Sequence, residues 1–272
     1  MIKLDKPTDK VGDILEKCIC SYRDEERKAR LKGCIEIVET AAEEYDERAT
    51  QNNLCSFKVH EKVGEVTKDE MKDLYDKKFV KQPGRVYYDK IKALAPQGVC
   101  PLCGVRIVST LDHYLAKSKY PTFSVLPFNL IPSCRDCNTD KLDVIFDSKE
   151  QQTIHPYYDD IENEEWLSCN VDNDLIATYS VVYPNEFSDE MYNRILTHFK
   201  VFKINLLYSL HAGEEIASER FKWERLYKNS GSDGLREYFI DSYESSKKHK
   251  LNSWKTALYR ALSEKDLSQV HL

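Results

Sequence analysis

The stretch that decides the fold opens with Cys100-Pro101-Leu102-Cys103. It passes through Leu111-Asp112-His113-Tyr114 and Phe128-Asn129-Leu130, and closes on Cys134-Arg135-Asp136-Cys137-Asn138. Two Cys-x-x-Cys pairs have the ligand spacing of a tetrahedral zinc site. Each pair can grip one edge of the ion, and a thiolate is a soft ligand suited to zinc. The bland alternative is four unrelated buried thiols, and two short-spaced pairs seldom arise by chance. A zinc ion closed off by Cys100, Cys103, Cys134 and Cys137 would be a structural staple rather than a reagent.

The residues between the pairs carry chemistry of their own. A helix over 132–143 would place Cys134, Cys137, Asn138 and Lys141 on one face. Asp112 and His113 would then lie on a strand packed opposite. The Asp112 carboxylate and an amide oxygen, from Asn129 or Asn138, are hard ligands for Mg2+ or a similar cation. Beside such an ion, the His113 imidazole can take a proton from water near neutral pH. The other of the two amides can hold the ring's tautomer by a hydrogen bond. This is equipment for metal-assisted phosphodiester hydrolysis. An isolated Asp-His pair is usually a satisfied structural histidine, but four zinc-spaced cysteines around it favour the functional reading.

Together these residues resemble the HNH endonuclease family over about residues 99–146. The resemblance implies a ββα-metal fold, a hairpin and a helix around one catalytic divalent cation. By position it implies Asp112 as a metal ligand, His113 as general base, Asn129 as the residue orienting the histidine, and Asn138 as a metal ligand on the helix. Histidine often stands where this chain has Asn138. Lys117, Lys119, Arg135 and Lys141 cluster around the motif as candidate phosphate contacts. The run from Leu111 to Cys134 resembles one subgroup, which usually has proline at the position of Ala116. That subgroup includes stand-alone bacterial nucleases and the nuclease partners of ATPases in Septu-like and retron-linked phage defence. The resemblance therefore implies an ATPase or sensor protein as a partner.

Outward from the module the chain reads as helical. Val11, Ile14, Leu15, Cys18, Ile19 and Tyr22 keep the helix period, with Thr8 or Asp9 as a cap. So do Leu31, Cys34, Ile35, Val38, Ala42 and Tyr45, and, after the module, Ile195, Leu196, Phe199, Leu206 and Leu210. Residues 166–171 and 175–183 read as a hairpin around Asp172-Asn173-Asp174, and Gly231 and Gly234 as a break between helices. Cys18 and Cys34 read as small core residues, and His155 before Pro156 as part of a turn.

The 272 residues carry 40 basic and 46 acidic side chains, a net charge of -6, which excludes a uniformly basic coat. Acids dominate residues 36–76, whereas 77–92 and 246–260 are basic and could flank a nucleic-acid site. No run is apolar enough for a signal peptide or a membrane span, so a cytoplasmic protein is expected. There is no Walker-type phosphate loop.

The expected fold class is α+β, mainly α. A zinc-stapled ββα-metal module at 96–150 would sit between a helical region at 1–95 and a hairpin plus helices at 151–272. The leading function is a metal-dependent endonuclease, with DNA favoured and RNA open. The alternatives are a zinc-stabilised binding module, and a nuclease subunit inactive until its partner engages.

Overall fold

The computed structural model describes residues 1–184 and 186–269. It is mainly helical, with three two-stranded antiparallel sheets among the described residues. Contacts divide it into two compact units, residues 2–159 and residues 160 onward together with Met1. The segments expected at 1–95 and 96–150 therefore belong to one unit, and the division falls after Asp159.

In the first unit, α1 (Val11–Ile19) buries Val11, Ile14, Leu15, Cys18 and Ile19, as their spacing predicts. Its cap differs from expectation: Lys10 is the N-cap residue, and Asp9 instead accepts from Lys90 at 2.9 Å. The charged run after residue 23 forms a helix of its own, α2 (Glu25–Gly33). Asp24 starts it by accepting from the Arg27 backbone N–H. α3 (Ile35–Thr50) buries Val38, Ala42 and Tyr45. A two-residue hairpin, β1 (Lys62–Val63) and β2 (Val66–Thr67), leads into α4 (Lys68–Leu74) through a Thr67–Glu70 capping box. A π-helical turn at Tyr75–Phe79 and α5 (Arg85–Lys92) follow. Then β3 (Thr110–His113) pairs antiparallel with β4 (Leu130–Ser133), and the short α6 (Arg135–Lys141) closes the array.

In the second unit, β5 (Leu167–Val171) and β6 (Ala177–Val181) make the expected hairpin, with Leu167 opposite Val181. Asp172 closes the turn by accepting from the N–H groups of Asp174 and Ile176. α7 (Asp189–Val201), α8 (Ile204–His249) and α9 (Trp254–Glu264) complete it. α8 is broken at Gly231, whose φ of 69° and ψ of -167° leave the helical region. The chain folds back there, since the Tyr238 hydroxyl donates to Glu219 and the Trp223 and Phe239 rings meet at 5.0 Å. Leu206 and Leu210 depart from expectation and face solvent. Lys203 stands at φ 50° and resets the helix phase, so Ile204, Leu207, Tyr208, Ala212 and Ile216 make the buried face.

Asn252 locks the entry to β5. Its buried side-chain oxygen accepts from the backbone N–H groups of Trp166 and Leu167, and its amide donates to the Glu164 carbonyl at 2.7 Å. Asn252→Ala strands these groups. We expect a loss of roughly 2–4 kcal/mol in urea unfolding, with intrinsic tryptophan fluorescence as the probe.

Candidate active site and metal centre

The first cysteine pair sits on a tight knuckle. The Gly104 N–H bonds back to the Cys100 carbonyl at 2.7 Å, and Gly104 takes φ 69°, a conformation open to glycine. The Arg106 N–H then points at the Cys103 sulfur, 3.5 Å away. The second pair opens α6: Cys134 is the N-cap residue, and its sulfur accepts from the Cys137 N–H at 3.4 Å. Arg106 and Asp136 join knuckle and helix by an ion pair at 3.0 Å. All four cysteines are buried, with their sulfurs within 4.8 Å of one another. Zinc–sulfur bonds of about 2.3 Å in a tetrahedron require sulfurs about 3.8 Å apart, so the four can hold a zinc ion. Hydrogen bonds among the sulfurs lower the pKa of Cys103 and Cys134 and raise that of Cys100 and Cys137. Protons are therefore shared among them, and a dication is what lets all four ionise.

β3 carries Asp112 and His113 to a cleft of about 440 Å3. Asn138 of α6 lines the same cleft, as do Tyr75, Tyr88 and Lys117. The expected helix over 132–143 is shorter, Arg135–Lys141, but its inward face holds Cys137 and Lys141 as anticipated. Lys141 corrects the sequence reading. Expected at a phosphate, it is 1% exposed and its ammonium lies 3.1 Å from the Asp112 carboxylate. It also donates to the His113 carbonyl at 2.5 Å. Burial pushes the Asp112 carboxyl above its ordinary value, and the Lys141 charge works against that.

The histidine is oriented by a different group from the one expected. His113 Nε2 lies 2.9 Å from the Ser124 carbonyl oxygen, which can only accept. Nε2 therefore carries the proton, and the lone pair is on Nδ1. Asn129 is fully buried and acts one step back. Its amide donates to the carbonyls of Leu115 and Phe123, and its oxygen accepts from the Leu115 N–H at 2.7 Å and the Tyr45 hydroxyl at 3.1 Å. It thus pins the loop that ends in Ser124. His155, read as part of a turn, is buried behind it, with Nε2 3.3 Å from the Tyr45 hydroxyl and its ring 4.2 Å from that of Tyr114. The aromatic run His155-Pro156-Tyr157-Tyr158 was the available signal for that cluster. Burial first, then the charge of Lys117, lowers the His113 pKa from 6.5 to about 3, so the ring is neutral at neutral pH.

The other candidate cations are largely occupied within the chain. Lys117 pairs with Asp76 at 2.6 Å and covers the Tyr75 ring. Lys119 is half-buried and Arg135 exposed. In the first basic segment, Lys77, Arg85 and Lys90 pair with Asp73, Asp89 and Asp9. In the second, Lys255 pairs with Glu215, and Arg260 with Glu165.

No family profile and no solved structure matches the chain. Protein ea31 of Escherichia phage lambda does, with 32% identity over 222 aligned residues that cover 75% of each chain. The chain belongs to the ea31 family. In this ea31-family chain no described helix is long and apolar enough to cross a membrane.

Two outcomes follow for the ea31-family protein. Metal analysis should find about one tightly held ion per chain, and Cys134→Ser should lose it and destabilise the fold. Zinc-free, normally folded protein would refute the staple. His113 should also make stability fall with acid. As pH drops below 6.5 toward about 3, the unfolded chain takes a proton that the buried ring refuses. Denaturant titrations between pH 7 and 4 should show a shallower loss in His113→Gln than in wild type.

Proposed function

We propose that this chain is a metal-dependent endonuclease of the HNH type, with DNA as its substrate. The observation that carries the reading is the shared cleft: Asp112, His113 and Asn138 line it, on a β-hairpin and the helix that follows. The four-cysteine cluster at the start of that helix supports it. The donor set fits a hard divalent cation such as Mg2+ or Mn2+, which takes one or two protein oxygens and leaves places for water and phosphate. Asp112 and Asn138 would hold it, and when bound it would neutralise charge on the scissile phosphate.

The chain's own part is orientation and proton transfer. The Ser124 carbonyl fixes the proton on Nε2, so Nδ1 is the basic atom. Because the ring is neutral at neutral pH, Nδ1 can take a proton from the attacking water. The new P–O bond forms as that proton leaves, the bond from phosphorus to the leaving sugar oxygen breaks, and that oxygen takes a proton from solvent water. Asn129 acts as a positioning residue through the loop it holds. Lys117, Lys119 and Arg135 remain candidate cations for the phosphate backbone.

A second reading rests on the Lys141–Asp112 pair. An ammonium already seated on the carboxylate that should face the cation fits a nuclease held inactive until a partner, such as an ATPase, shifts α6. The same pair also fits a zinc-stabilised binding module without turnover. The relative reported above is encoded by a phage, and the proposal does not extend to host defence.

Plasmid nicking separates these readings. The first expects nicking by purified protein with Mg2+ or Mn2+, and a fall of about 100-fold or more in His113→Ala with unchanged circular dichroism. Cleavage at the wild-type rate in His113→Ala sinks the assignment of the base. The second expects an inert wild type. It also expects Lys141→Met, relieved of a like charge, to bind Mn2+ about tenfold or more tightly by calorimetry.

A further inference from the structure

α8 carries two apolar faces between Ile204 and Gly231, and the fold uses one of them. Ile204, Leu207, Tyr208, Ala212, Ile216 and Trp223 are buried. On the opposite side lie Leu206, Leu210, Gly213, Ala217 and Phe221, spaced by three or four residues and all exposed. Leu206, Leu210 and Phe221 are 60%, 64% and 74% exposed. Charged or polar side chains would cost nothing there, so a continuous stripe of this kind marks a docking face.

Gly213 points the same way. Glycine is the poorest helix former after proline, and it sits here in mid-helix. A Cβ at this position would meet nothing within 4 Å, so the packing of this chain does not require it. Close approach of another backbone would. Ala217, one turn on, is the other small residue of the stripe.

We propose that two copies of this chain pair antiparallel through this face of α8, about a two-fold axis passing between Gly213 and Glu214. One register pairs the large apolar positions with the small ones. Leu206 meets Phe221 of the second copy, Leu210 covers its Ala217, and the two Gly213 residues meet near the axis. Large groups then oppose small ones, as interdigitating helices require. The same register sets exposed Lys203, at one end of the stripe, opposite half-buried Glu224 of the second copy at the other, an acid that also pairs with Arg220 of its own helix at 3.6 Å. A heterologous partner would need no such self-complementarity, whereas an isologous contact demands it. The internal cost is two exposed Glu214 carboxylates flanking the axis. The seam from Leu206 to Phe221 is about 22 Å long at 1.5 Å per residue, so the contact is small and the dimer concentration-dependent.

The pairing is independent of the phosphodiester reading, and sedimentation equilibrium on the full chain tests it without any cleavage assay. Wild type should approach twice the chain mass of 31.8 kDa as concentration rises. Leu210→Glu with Phe221→Glu should remain monomeric with unchanged circular dichroism. Gly213→Leu, which the monomer has room for, should weaken association by about tenfold or more. Lys203→Glu should weaken it too, and adding Glu224→Lys should restore it. A wild type that stays monomeric up to about 100 µM overturns the proposal, whether or not a different protein seats on the face. So does a dimer indifferent to Leu210→Glu with Phe221→Glu. Failure of the charge swap to restore association overturns the register.

Discussion

The first unit depends on bringing four sulfurs together. Without that grouping the knuckle at 100–104 and the start of α6 have little to hold them, because α6 spans only seven residues, too short to be stable alone in water. The sulfurs tie its first turn to the knuckle, and the Arg106–Asp136 ion pair repeats the tie at the surface. β3 and β4 are four residues each and equally dependent on what packs against them. A cation in that cluster would therefore contribute to folding directly, in the manner of small metal-stabilised modules.

Behind the cleft runs a second constraint, wholly polar and wholly buried. His155, Tyr45 and Asn129 form a line of hydrogen bonds, and Asn129 spends its capacity on the backbone of Leu115 and Phe123. A buried amide satisfied this fully fixes a loop more rigidly than apolar packing does, since any shift strands a donor or acceptor. The loop in turn delivers the Ser124 carbonyl to His113. The line links α3, the segment at 155–158 and β3, which explains why the N-terminal helices and the cysteine module form one unit.

How much of this was legible beforehand depends on whether the information is local. The cysteine pairs were legible because ligand spacing is a property of a few adjacent residues. The neighbourhood of Asp112, His113 and Asn138 followed from that framing and from helical spacing. The Ser124 carbonyl was not legible, because a backbone oxygen leaves no letter in the sequence. Lys141 was misjudged since a lysine is ordinarily solvated, and only the fold shows it sealed against Asp112. Leu206 and Leu210 were misplaced because the helix period was carried across Lys203, where a left-handed residue turns the phase. The α+β, mainly α class was readable throughout, since stripes at helical spacing fill most of the chain.

The two ends of α6 are held by different chemistries, sulfur at Cys134 and Cys137 and a buried ammonium at Lys141. Asn138 stands between them. The helix therefore behaves as a beam clamped at both supports, and oxidation of the thiols at one end would be felt as a displaced amide in the cleft.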